Sequence, residues 1–264
     1  MPIGPARMPL MDHLGELRRR LVIIVVCLLV ACVVLYNLTP YFIEFLKQPI
    51  AEFLPEDGTL YTTGAFEGFT LKFRVALWMS LIVCSPIIFW EILAFFLPAL
   101  KPSERKYVVP TFFVAVALFV LGMVFCYAFC LNAAFQFLTG ESYSFADMLP
   151  NATDYIHYVI LFELAFGIAF ELPLVVFYLI LFDIVSYKTM RAQWRYIYIG
   201  LMVLAAVVTP DASPVTMLIL FAALLALYEL ALLAARIVLA KKIKNQRERE
   251  KEEEAAEAAQ ADGA

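Results

Sequence analysis

Three carboxylates stand where carboxylates are costly. Glu163, Glu171 and Glu229 lie inside long apolar runs of a 264-residue chain. An acid in such a setting is a candidate for proton carriage, ligand binding or helix pairing. Glu163 and Glu171 are eight residues apart. On one helix that is about 12 Å along the axis and about 80° around it, so the two could flank one groove. For Glu229 a structural partner and a headgroup-level position are equally open. Glu91 stands near the end of another apolar run. Glu104 is the single acid in the segment Leu97–Lys106, among Lys101, Arg105 and Lys106. It either pairs locally, which is worth little at a surface, or offers its carboxylate to a cationic ligand.

Other chemistry is absent from the sequence. There is no H-E-x-x-H, no phosphate-binding glycine loop and no G-x-S-x-G elbow. The two histidines, His13 and His157, are too few for a dyad or a metal centre. All five cysteines sit in apolar runs, where they read as small buried hydrophobes. Cys126 and Cys130 share a helix face, but no histidine completes a site. Neither a catalytic residue, a metal nor a cofactor is expected. Gly64 and Gly68 form G-x-x-x-G in a loop, where the helix-dimer meaning does not apply.

The elements that carry these acids follow from composition. Hydrophobic residues make up 63% of the chain and charged residues 17%, against roughly 45–50% apolar in soluble domains. The mean hydropathy is +0.83. A soluble fold cannot hide this much apolar surface, and the runs do not alternate as barrel strands would. Six runs can cross a bilayer as helices: Leu21 to Leu38, Phe73 to Leu97, Tyr107 to Phe137, Tyr155 to Phe182, the short Tyr196 to Thr209, and Val215 to Leu239. The predicted fold is all-α, one six-span membrane domain over residues 1–240 with no internal repeat. Residues 241–264 form a charged tail without an apolar stripe, read as a helix extension or a disordered segment.

Seventeen of the 20 lysines and arginines fall in residues 1–20, 98–106, 183–195 and 236–264. The intervening loops carry only Lys47 and are rich in acids. Both termini are therefore expected in the cytoplasm. No small-residue cleavage site follows the first run, so it reads as a retained span. Before it, residues 9–20 are amphipathic: Leu10, Leu14, Leu17 and Leu21 share one face, with Asp12 and Glu16 on another. Periodicity alone describes an interfacial helix with solvated charges.

Several stretches together resemble a known family. His13-Leu14-x-Glu16-Leu17-Arg18 resembles the opening of the TatC family, the polytopic subunit of the twin-arginine protein translocase. Phe95-x-x-Pro98-Ala99-Leu100-x-x-x-Glu104-Arg105 resembles its first cytoplasmic loop. Phe166-Gly167-x-x-Phe170-Glu171-x-Pro173 resembles its fourth span. Thr209-Pro210 followed by Asp211 resembles the tip between spans five and six, and Pro49 fits the proline of the first external loop. The likeness runs in order over roughly residues 9–240. Glu91 stands where glutamine is common, and Glu163 has no counterpart in the pattern.

The resemblance implies a receptor for export of folded proteins across the inner membrane. Its partners would be twin-arginine signal peptides, single-span TatA- and TatB-type subunits, other copies of itself and membrane lipid, with no nucleic acid. It carries recognition onto Glu16 and Glu104, with Arg18, Phe95, Pro98 and Leu100 around them. Separately, the short fifth span favours thinned lipid or water beside it, where Glu171 is expected to serve signal insertion or partner-helix contact. A guanidinium is a planar fork that a carboxylate accepts with two bonds, which lysine does not reproduce. The rival reading is an ion-coupled small-solute transporter that uses Glu163 and Glu171 as proton carriers.

Overall fold

A computed structural model describes residues 10–53, 60–97, 105–143, 151–209, 213–240, 242–244, 246 and 248. Helices account for nearly all of it, and the described residues contain no β-strand. Five helical stretches are long and apolar enough to cross a membrane: Leu14–Ala51, Ala65–Phe96, Arg105–Glu141, Ala152–Leu181 and Pro214–Val238. A sixth, Trp194–Val208, is shorter. They match the six runs read from the sequence.

Helix α1 spans Leu10–Leu35 without a break. The amphipathic stretch, from Leu10 on, therefore continues into the first apolar run as one helix. Nothing from Leu10 to Leu35 interrupts the hydrogen-bond ladder: the stretch has no proline and a single glycine, Gly15. A tight turn at Tyr36–Leu38 leads to α2, Thr39–Lys47, with Pro40 in its first turn, where a missing N–H costs nothing. Pro49 follows, half-buried in a second tight turn, Gln48–Phe53.

Helix α3, Ala65–Phe96, contains Pro86 and is the main packing partner of α1. The opposite side of α1 is bare, exposing Val22, Val25, Val26, Leu29 and Val33. Apolar exposure on this scale has to be met by lipid or by another chain.

The third span is in three pieces. Helix α4, Val108–Phe125, passes through a wider π-helical turn, Cys126–Cys130, into α5, Leu131–Tyr143. Helix α6, Ala152–Ala169, lies against α4 at unusually short range. A Cβ on Gly122 would stand 2.7 Å from the Phe166 carbonyl oxygen, and one on Gly167 would stand 2.8 Å from the Phe119 ring. Only glycine lets these two backbones meet.

The fourth span breaks at Phe170–Glu171, before α7, Leu172–Leu181. Pro173 has no N–H to donate back, so the chain tightens there, with Glu171 N–H bonded to the Ile168 carbonyl at 3.1 Å. Helix α7 ends at Leu181, and two residues on Asp183 turns the chain with a φ of 58°. Short helix α8, Tyr187–Ala192, is capped by the Ser186 hydroxyl. Helix α9, Trp194–Val208, and helix α10, Pro214–Val238, complete the bundle. A continuous core runs through α3, α5, α6, α7, α9 and α10, with Phe162, Phe166, Leu220, Leu224 and Tyr228 fully buried in it.

Candidate functional site

At the end of the bundle where α1 begins, α1 and α3 bring three charged side chains together. Arg20 donates from Nε and Nη2 to Glu16 Oε1 (3.1 and 2.5 Å), and from Nη1 to Glu91 Oε2 (2.8 Å). All three are half-buried. Glu16 and Arg20 meet because four residues on a helix make one step along the same face. Glu91 joins them because α3 runs back past the start of α1. The solvated charges expected of the amphipathic stretch are therefore replaced, at Glu16, by an ion pair. Arg18 is exposed instead, beside Leu14, Leu17 and Leu21 on an apolar flank. Sequence reasoning chose Arg18 and missed Arg20. The i, i+4 spacing from Glu16 was the available signal.

Phe95 lies half-buried near the end of α3, with its ring edge-on to Phe96 at 5.5 Å. Arg105 and Lys106 are exposed where the chain resumes, and Lys106 sits over the Tyr107 ring at 4.9 Å. Pro98, Leu100 and Glu104 lie outside the described residues, as does Asp211.

The acids within the spans separate into different environments. Both carboxylate oxygens of Glu171 are buried and find no hydrogen-bond partner among the described residues. The side chain projects from the very break between α6 and α7. Glu163 is buried on α6, 4% exposed. The arithmetic that placed the two acids on one groove assumed a single straight helix, and the break at residues 170–171 removes that assumption. No hydrogen bond joins them among the described residues.

Glu229 is fully partnered. It accepts from Arg191 Nη1 at 2.9 and 2.7 Å and from the Tyr198 hydroxyl at 2.7 Å, tying α10 to α8 and α9. These hydrogen bonds hold the Arg191 guanidinium above its ordinary range. Of the two readings open for Glu229, the geometry favours the structural partner. Among the described residues, no group of three or more His, Cys, Asp or Glu is placed to hold a metal ion.

Five helical stretches of membrane-crossing length, a sixth shorter one, a broken fourth span and a carboxylate–guanidinium cluster at one end define a polytopic helical membrane protein. Comparison with known proteins names the class. The family described as Sec-independent protein translocase protein (TatC) matches residues 12–222. The TatC protein of Deinococcus radiodurans is 37% identical over 240 residues, covering 88% of this chain and 87% of its own length. That of Carboxydothermus hydrogenoformans is 31% identical over 240 residues, covering 91% and 98%. A crystal structure of the twin-arginine translocase receptor TatC superimposes with a TM-score of 0.70 at 30% identity, covering 85% of this chain and 98% of that one. The chain belongs to the TatC family, the polytopic component of Sec-independent protein translocation.

Proposed function

We propose that this protein is the signal receptor of a twin-arginine translocase. It binds signal peptides that carry consecutive arginines on folded cargo, and nucleates assembly with single-span TatA- and TatB-type subunits, further copies of itself and surrounding lipid. It resides in the inner membrane with both termini in the cytoplasm, and its work is binding and passage without bond chemistry. The observation that carries this reading is Glu16: its carboxylate, half-buried at the opening of α1, takes two hydrogen bonds from one guanidinium. The position accepts an arginine by geometry and by charge. Family membership supports the same reading, and Glu104 and Phe95 would complete the pocket.

The test is binding of a labelled peptide to the purified protein. An Arg-Arg signal should bind at least tenfold more tightly than its Lys-Lys counterpart. Glu16→Ala and Glu104→Ala should each weaken the Arg-Arg peptide by about 10- to 150-fold, the worth of a charge-assisted hydrogen-bonded pair. The double variant should lose less than the sum if both acids serve one arginine pair. Equal affinity for both peptides would leave only a scaffold. Solute-dependent proton flux through the protein alone would favour a solute transporter.

A further inference from the structure

The cluster at the opening of α1 holds two carboxylates and one guanidinium, a net charge of −1. Arg20 divides its donors between them, Nε and Nη2 to Glu16 and Nη1 to Glu91. The remaining oxygens, Glu16 Oε2 and Glu91 Oε1, accept no hydrogen bond from the described residues. The side chains of Arg20, Glu16 and Glu91 are 21%, 23% and 14% exposed. Charges this far from bulk solvent are screened much less than surface pairs. The cluster is thus one cation short of neutrality, and its own arginine already fills Oε1, one of the two oxygens that a signal arginine has to fork across. A signal guanidinium can reach the open Oε2 with one bond, but it can fork across both Glu16 oxygens only when Arg20 withdraws from Oε1.

We propose that Arg20 is a resident competitor at the recognition site, and that Glu91 is the positioning residue to which Arg20 is handed when a signal arginine arrives. The proposal rests on the reading of Glu16 as a signal-binding acid. Before exchange, Arg20 bridges Glu16 and Glu91. After it, Glu16 pairs with the incoming guanidinium and Arg20 stays with Glu91. Two pairs replace one bridge, and neither guanidinium is left without a carboxylate. That matters because a half-buried charge stripped of its partner is strongly disfavoured. Glu91 never touches the signal. It lowers the cost of vacating Glu16, and so sets how easily the receptor engages.

The experiment is a double-variant cycle on the full-length protein in detergent, with a fluorescent peptide bearing an Arg-Arg pair. Glu91→Gln leaves Arg20 wholly on Glu16 and should weaken the peptide about tenfold, within the range of couplings between contacting charges. Arg20→Gln removes the competitor and should bind the peptide at least as tightly as the parent. With Arg20→Gln already present, the penalty of Glu91→Gln should fall below about twofold. A direct contact between Glu91 and the peptide predicts the same penalty in both backgrounds, and that result overturns the exchange. So does a full-strength Glu91→Gln protein. If Arg20→Gln does not insert stably, as judged by its unfolding midpoint, Arg20→Met carries the same cycle, because it keeps an apolar stem and removes the charge. Glu16→Ala separates the two readings. Normal binding there overturns the receptor site itself; lost binding there, with an inert Glu91→Gln, overturns only the exchange.

Discussion

Glu171 presents two oxygens, both buried and both unpaired among the described residues. A buried polar group without a partner costs free energy that a folded protein normally avoids. The expectation for this side chain is a role after signal docking, in signal insertion or in contact with a partner helix. Glu171→Ala should leave initial signal affinity within about twofold of the parent, yet reduce transport, or crosslinking to a partner helix, in a protein that inserts normally. Glu171→Gln should be milder, since it keeps hydrogen bonding without the charge. Normal transport by a stable Glu171→Ala protein would leave the acid a packing residue. Side-chain partnerships of this kind were only partly legible. Arg20 could be read from its spacing to Glu16, whereas the partner of Glu229 is Arg191, 38 residues away on a separate short helix. Hydropathy carries no information about that pairing.

Among the described glycines, those at the meeting of α4 and α6 have the least room. Gly122→Ala forces a Cβ to 2.7 Å from the Phe166 carbonyl oxygen, and backbone cannot yield as a side-chain tip can. A loss of about 1–3 kcal/mol is expected for such overpacking. Gly200, inside α9, meets nothing within 4 Å. Gly200→Ala should be neutral or slightly stabilising, since alanine favours helix over glycine by roughly 0.5–1 kcal/mol. Thermal unfolding in detergent compares the two, and a Gly122→Ala midpoint at or above the parent would refute the close approach. Helix breaks divide by cause. Pro173 accounts for the one at residues 170–171, because the ring removes a donor; the fourth run still read as one straight helix, since a proline such as Pro86 also sits inside an unbroken α3. The π-helical turn at Cys126–Cys130 has no such residue, so the third run read as continuous. Helix α9, at 15 residues, is about 22 Å long against a hydrocarbon core of roughly 30 Å. A helix this short is expected to thin the bilayer around it or to admit water beside it.

For the whole molecule, span number and order were legible because hydrophobic length is a local property of the chain. Which helices touch was not, since it depends on small residues such as Gly122 and Gly167 finding each other across about 45 positions of helix and loop. Orientation rests on charge placement. In a cysteine-free background, single cysteines at Ser103 and Gln193 should label only from the cytoplasm, and one at Ala146 only from outside. The basis is that 17 of 20 basic residues fall on one set of loops. External labelling at Ser103 would invert the protein and place the α1 cluster beyond the reach of a cytoplasmic signal. The same end of the bundle carries a latch. Past α10, Lys242 pairs with Asp183 at 3.2 Å and also donates to the Leu181 carbonyl, while Gln246 donates to Asp183. Its consequence lies in time as well as space. At about 5–20 residues per second of synthesis, the chain between Asp183 and Lys242 takes several seconds to appear. The reversed turn after α7 must wait that long for its lysine. The corner of the receptor that the ribosome begins before α9 and α10 exist is among the last to close, and a nascent chain stopped short of residue 242 leaves it open.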